Sequence, residues 1–198
     1  MAAAGSSPCV RAERVSAPPP ALQLATLAGC GLAIGGYPRF HYDGRGGGGS
    51  GRLGPDVGDG RRTLRFDPSR LRIPPLNWRT TRFLGLPLPP GIAIAIEPRE
   101  LAGSLELASG ALELHFRSRF HFRLGTYRAP ALLIDCPLRT GPVRGRRHQA
   151  CGEPLNDSGE ALLVGVATVE PCGVAWLDRF LGLPDEALAL LRCRFTPA

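Results

Sequence analysis

The sequence predicts an all-β, mainly antiparallel fold, a bent barrel or sandwich with two short helices, and three observations carry that prediction. Residues 111–124, ALELHFRSRFHFRL, alternate along their length: Leu112, Leu114, Phe116, Phe120, Phe122 and Leu124 share one side, and Glu113, His115, Arg117, Arg119, His121 and Arg123 the other. That is the two-residue period of a strand with one apolar and one wet face. Immediately upstream, SLELASGALEL (residues 104–114) reads as a hairpin about Ser109-Gly110, with Leu105 opposite Leu114 and Leu107 opposite Leu112, so turn chemistry and hydrophobic register agree. The remaining apolar runs are short and divided by Gly and Pro, of which the chain has 26 and 20, as expected for many short strands.

The elements can be taken in chain order. MAAAGSSPCVRAERVSAPPP is rich in small residues and has one acid, Glu13; it reads as an organellar transit peptide, with a plastid favoured. ALQLATLAGCGLAIGG (21–36) is apolar but shorter than the ~20 residues of a membrane-spanning helix. It fits an h-region, the tail of a transit peptide or a first strand, with strand or tail preferred. The expected organisation is a transit peptide or disordered extension over 1–36 and a single β-rich domain over 37–198, because 198 residues suit one domain better than two.

YPRFHY (37–42) is extended, with Phe40 and Tyr42 on one face. GRGGGGSGRLG (44–54) reads as a flexible hairpin or surface loop, with an anion cradle of free amides as the alternative. Arg61 to Ile73 suits two short strands or an interrupted one. GIAIAI (91–96) alternates strictly, its Ile face directed to a core. The strand of residues 111–124 would run ~45 Å at ~3.3 Å per residue if straight, so it must coil, bulge or turn a corner. Residues 131–138 form a further strand, and ALLVGVATV (161–169), apolar on both faces, reads as a strand covered on each side. In the tail, Asp185-Glu186 would suit a helix start, but Leu191, Cys193 and Phe195 alternate with Arg192 and Arg194, which favours a closing strand.

RFLGLP occurs twice, at 82–87 and 179–184. Each copy follows an apolar run, a Pro and a Trp, and is expected to stop a helix: one from Asn77 as cap through Leu84, the other from about Val174 to Leu181. Gly supplies the left-handed residue, Leu folds back on the last turn and Pro forbids continuation. The alternative is that the paired helices form a lid over a barrel mouth or a docking surface.

YPRFHYDGRGGGG, FLGLPLPP, LVGVATVEP and FLGLP, in that order, resemble a group of plant nuclear-encoded plastid proteins of unknown function. The resemblance spans residues 37 to 195. It implies chloroplast residence, stromal or thylakoid-associated, and a β-rich fold, and transfers no catalytic residue.

Composition excludes some chemistry. All 24 basic residues are Arg, so Walker A, Schiff-base and kinase-type sites, each of which needs a Lys, cannot be built. The formal charge of +7 accompanies a bias typical of GC-rich coding, which weakens it as a sign of nucleic-acid binding. Six cysteines without a CxxC pair read as reduced, buried thiols rather than a disulfide framework. His148 and Cys151 have no second ligand pair in sequence, so no metal is assigned. There is no GxSxG elbow or HExxH motif, so no catalytic residue and no cofactor are assigned.

Two binding readings remain. In the first, the Leu/Phe face of 112–124 lines a hollow barrel that takes a lipid-like or other apolar, anionic small molecule, with Arg117, Arg119, His121 and Arg123 meeting the head group. If the interior is filled, the same row is only a solvated outer face. In the second, Arg139, Arg144, Arg146 and Arg147, in a stretch where 116–150 holds eight Arg and one acid, Asp135, dock RNA phosphates or a protein. Against RNA, the aromatics alternate away from the arginines, whereas stacking platforms need both on one face. The segment from Cys151 onward carries seven acids and three Arg and could neutralise the basic loop within the chain.

Overall fold

The computed structural model describes residues 20–197. In chain order the strands are β1 (Ala21–Thr26), β2 (Cys30–Ile34), β3 (Phe40–Tyr42), β4 (Gly48–Asp56), β5 (Arg61–Phe66), β6 (Thr81–Phe83), β7 (Leu86–Pro87) and β8 (Ile92–Glu106). They continue as β9 (Leu112–Leu124), β10 (Tyr127–Arg128), β11 (Leu132–Arg139), β12 (Pro142–Arg144), β13 (Gln149–Cys151), β14 (Glu160–Val169) and β15 (Asp185–Pro197), with one helix, α1 (Ala175–Leu181), between the last two.

The sheet closes on itself. The order β1-β4-β5-β8-β9-β11-β14-β15 is an antiparallel meander, and β15 pairs back to β1 through Leu24↔Phe195 and its neighbours. The result is an up-and-down barrel, closed between β11 and β14 by the single pair Arg139↔Val164. A second storey continues it. The chain bends at Leu27–Gly29, so β1 pairs with the C-terminal half of β15 and β2 with its N-terminal half, Leu188↔Ala33. Strands β3, β6 and β7 extend this lower wall. It meets β8 where Leu76 and Ile94 exchange backbone hydrogen bonds of 2.9 and 2.8 Å.

β8 carries the bend that a strand of this length requires. Ile92, Ile94 and Ile96 pair with Leu124, Phe122 and Phe120, whereas Leu101 and Leu105 pair with Phe116 and Leu112, the register slipping between Pro98 and Glu100. Arg99 is the extra residue of a β-bulge: even-numbered positions face inward before it and odd-numbered ones after it.

Several expectations are corrected. The hairpin register differs by two residues: Leu105 pairs with Leu112 and Gly103 with Leu114, and Leu107 is exposed at the tip. A two-residue I′ or II′ turn at Ser109-Gly110 needs positive φ at its first residue; Gly110 has φ 70° but Ser109 is not in that region. The chain instead uses the four-residue loop 107–110, closed by Glu106 N–H to the Ala111 carbonyl at 2.9 Å.

The first RFLGLP copy is not a helix stop. Asn77 does cap a turn, its side chain accepting from the Arg79 and Thr80 amides at 2.8 and 3.3 Å. The turn then gives way to β6, because Thr81 is fully buried and Tyr42 and Phe40 offer strand partners. Leu84 and Gly85, with φ 51° and 81°, form the tight turn between β6 and β7. The second copy behaves as expected. Gly182 is left-handed at φ 72°, and the Leu183 N–H returns to the Asp178 carbonyl at 2.8 Å, the bonding of a Schellman stop. Among the described residues there is thus one α-helix and a 3-10 turn at Pro68–Arg70 rather than two α-helices.

The glycine-rich stretch is a turn over Gly44–Gly47 that leads into strand β4 from Gly48, which is paired with β1 and β5 rather than a surface loop. At Gly51 a Cβ would lie 2.6 Å from the ring of Phe66, so only Gly lets that ring cross the strand. β1 and β2 are wall strands, so the β domain begins by Ala21 rather than at 37. Of the transit peptide or extension expected over 1–36, residues 1–19 lie outside the described residues.

Candidate ligand cavity

The two storeys are packed differently because their inward residues differ in size. In the upper one, Leu53, Leu64, Phe66, Leu105, Leu112, Leu114, Leu163 and Phe195 meet in one buried cluster. In the lower one, β14 and β15 present Ala167, Ala187 and Ala189 inward, with Ala167 directly opposite Ala187. A methyl on each of three adjacent positions cannot span a barrel interior, and packing at normal density would need larger side chains there. A cavity of about 430 Å³ results, within the ~300–1,000 Å³ typical of small-molecule sites.

Its wall is almost wholly carbon. Ile92, Ile94 and Ile96 come from β8, Phe116, Phe120 and Phe122 from β9, and Leu132 and Ile134 from β11. Phe40, Tyr42 and Phe83 come from the lower wall strands. Tyr42 turns its hydroxyl away to the Pro74 carbonyl, and burial pushes its ionisation well above the ordinary phenol value. Cys136, also on the wall, is pushed up to about 12 by burial, so it is a neutral thiol.

Helix α1 lies at the lower end. Trp176 reaches Phe122 and Tyr127, with ring centroids 6.2 and 5.6 Å away. At the other end of the helix Phe180 stands 5.9 Å from Tyr37, whose hydroxyl donates to the Phe180 carbonyl. Tyr37 in turn touches Phe83, which stacks on Phe40 at 4.6 Å. Aromatic side chains therefore connect α1 to both sides of the mouth.

The anticipated head-group residues stand on the opposite side of the wall from this space. Arg117, Arg119, His121 and Arg123 project from the outer face of β9. Arg117 bridges Asp135 at 3.0 Å and Glu100 at 3.4 Å, and His121 meets Glu97 at 3.1 Å. The His121 contact holds the Glu97 carboxyl below its usual range. His115 adds a contact to Asp135. None of the four reaches the cavity.

The basic loop is also occupied, in part, by its own chain. Glu186, buried at the start of β15, accepts from the backbone amides of Arg146, Arg147 and His148 at 2.6, 2.8 and 3.4 Å. The Arg147 guanidinium meets Asp185 at 2.9 Å and Arg146 lies 3.6 Å from Glu186. Those amides hold the Glu186 carboxyl down to about 2. Gly145 makes room for it, since a Cβ there would lie 2.5 Å from Glu186 Oε2. Arg139 and Arg144 end β11 and β12. The hairpin β12–β13 covers the outside of β14, which explains why Leu163, facing in, and Val164, facing out, are both fully buried.

Comparison of the chain with protein-family models, curated proteins and solved structures finds no match.

Among the described residues no three His, Cys, Asp or Glu side chains gather as a metal site, and no helix is long and apolar enough to cross a membrane. The sequence marks the inner face of β9 clearly but not the cavity beside it. Its only traces are the small residues of ATV and ALAL in β14 and β15, and these acquire meaning once the register sets Ala167 against Ala187.

Proposed function

We propose that this protein is a plastid carrier or binding protein for a lipid-like small molecule, held in the lower storey of the barrel. The observation that carries this reading is the 430 Å³ cavity walled by carbon, which a ligand of matching apolar surface would fill with a gain of about 25 cal/mol per Å² removed from water. Arg72 is the single charged residue among those lining the wall, so the buried part of the ligand is hydrocarbon and any anionic head remains at the mouth. The resemblance to plant plastid proteins supports the location. The Arg-mediated docking alternative has weaker support, since Arg146 and Arg147 already serve Asp185 and Glu186.

The test is direct. Native mass spectrometry of the purified chain, followed by organic extraction, should yield an apolar adduct, and a fluorescent fatty-acid probe should bind with one-site stoichiometry. A chain that carries no adduct and binds no probe would overturn the reading.

A further inference from the structure

The cavity leaves a transfer problem, and the residues around its mouth answer it. Six of the ten exposed large apolar side chains among the described residues gather at this end: Leu84, Leu86, Leu124, Tyr127, Trp176 and Phe180. The contacts already described place them together, since Tyr127 and Trp176 touch, Phe180 and Tyr37 touch, and Tyr37 meets Phe83, which leads into the Leu84–Leu86 turn. Leu84 and Leu86 are 69% and 70% exposed, Phe180 54% and Trp176 46%. Leu84 is disfavoured twice over: its φ of 51° belongs to the region that suits Asn and Gly, and its side chain is in water. A residue that breaks local preference without a packing gain points to use at a surface.

Charge identifies what covers this face. Arg82, Arg123, Arg128 and Arg179 flank the apolar side chains; Arg128 sits opposite Arg123 in the β9–β10 ladder, and Arg179 lies between Trp176 and Phe180 along α1. Among the described residues no carboxylate lies within 4 Å of any of the four. The acids of the adjoining connection are Glu170 and Asp178, and Asp178 is turned into the Cys172 and Gly173 amides at 2.8 and 3.0 Å.

We propose that the mouth of the barrel docks on the surface of a bilayer containing anionic lipid, the six apolar side chains entering the interface and the four arginines meeting phosphate. This deepens, and rests for its purpose on, the carrier reading: a hydrocarbon ligand enters from and leaves to the membrane without crossing water. An aromatic and aliphatic rim ringed by Arg has the chemistry of an interfacial anchor.

The experiment uses the full chain with vesicles of phosphatidylcholine alone and of phosphatidylcholine with phosphatidylglycerol. Flotation should recover the protein with the anionic vesicles, less so as salt rises, and barely with the neutral ones. In a Trp78→Phe background, Trp176 emission should shift to the blue on vesicle addition and be quenched by lipids brominated in the tail. Arg123→Gln with Arg128→Gln should weaken vesicle binding by about fivefold per arginine, and Leu84→Asn with Phe180→Ser should abolish the quenching. Retention of full vesicle binding in both double variants would overturn the proposal, as would binding to neither vesicle or capture only by a protein partner. Probe binding to the cavity, measured without vesicles, separates the two readings. A chain that takes the probe but ignores vesicles keeps the cavity and loses the docking face, and the reverse result keeps the docking face alone.

Discussion

The Tyr37 hydroxyl donates its hydrogen bond to the backbone carbonyl of Phe180, joining residues 143 apart in sequence. It ties the turn after β2 to the last turn of α1, while the same ring borders the cavity and packs on Phe180. The C-terminal end of α1 is thus held at its carbonyls by a side chain from the opposite wall, where the cap by Gly182 alone would leave it freer.

Tyr37→Phe keeps the ring and removes the bond. A stability loss of about 1 kcal/mol is expected, with faster amide exchange confined to α1 and faster release of a cavity probe. Unchanged exchange in α1 would show that the helix is held by its aromatic contacts alone.

Ala187→Leu tests whether the lower storey is hollow. Each added methylene gains about 0.8 kcal/mol on burial, so the variant should hold or raise the melting temperature while losing probe binding. In a filled interior the same change would cost about 1–3 kcal/mol through overpacking. Thermal denaturation and probe titration of one preparation decide between them.

The fold was legible where one face of one strand decides it, and obscure where two distant segments decide together. The inner and outer sides of β9 are readable because apolar residues hold every second position from Leu112 to Leu124 except Ser118, which is buried on the same side. β14 is readable as covered on each side because it is apolar on both faces, although only the structure shows that β12–β13 supplies the outer cover. The two RFLGLP copies show the limit. Arg179 to Pro184 ends a helix and Arg82 to Pro87 turns a hairpin, because Leu-Gly accepts left-handed backbone in either setting and the neighbouring strands choose. β4 was hidden by its glycines, since close approach of Phe66 and Leu24 is a tertiary demand with no local signature. The cavity was hidden likewise, being the product of small residues brought face to face by register.

Acid should loosen the β12–β13 hairpin first. Glu186 ionises at about 2 when folded, against ~4.3 unfolded. Its carboxylate therefore stabilises the fold above about pH 4.3, and that contribution disappears as pH falls towards 2. Asp185, also held low, chiefly by the Glu186 amide and then by Arg147, acts in the same direction. Denaturation curves from pH 6 to 2 should show a decline that Glu186→Gln makes shallower, from a lower plateau.

Thiol reactivity should sort by position. Cys136 and Cys193 are both pushed up to about 12 by burial, and Cys30 is also buried and raised. Cys151 is exposed and Cys172 half-buried. Brief iodoacetamide treatment at pH 8 with peptide mapping should therefore label Cys151 ahead of Cys172, and leave Cys30, Cys136 and Cys193 unmodified until denaturant is added. Early labelling of Cys136 would show that the barrel interior opens to solvent on that timescale.

Arg99, the additional residue in β8, sets the phase of everything after it. A chain lacking that one position would keep its composition yet be obliged to turn either the three isoleucines or Leu101 and Leu105 to water. Lineages that vary in length should consequently accept gains and losses at the hairpin tip near Leu107 and reject them here, whatever amino acid occupies the site.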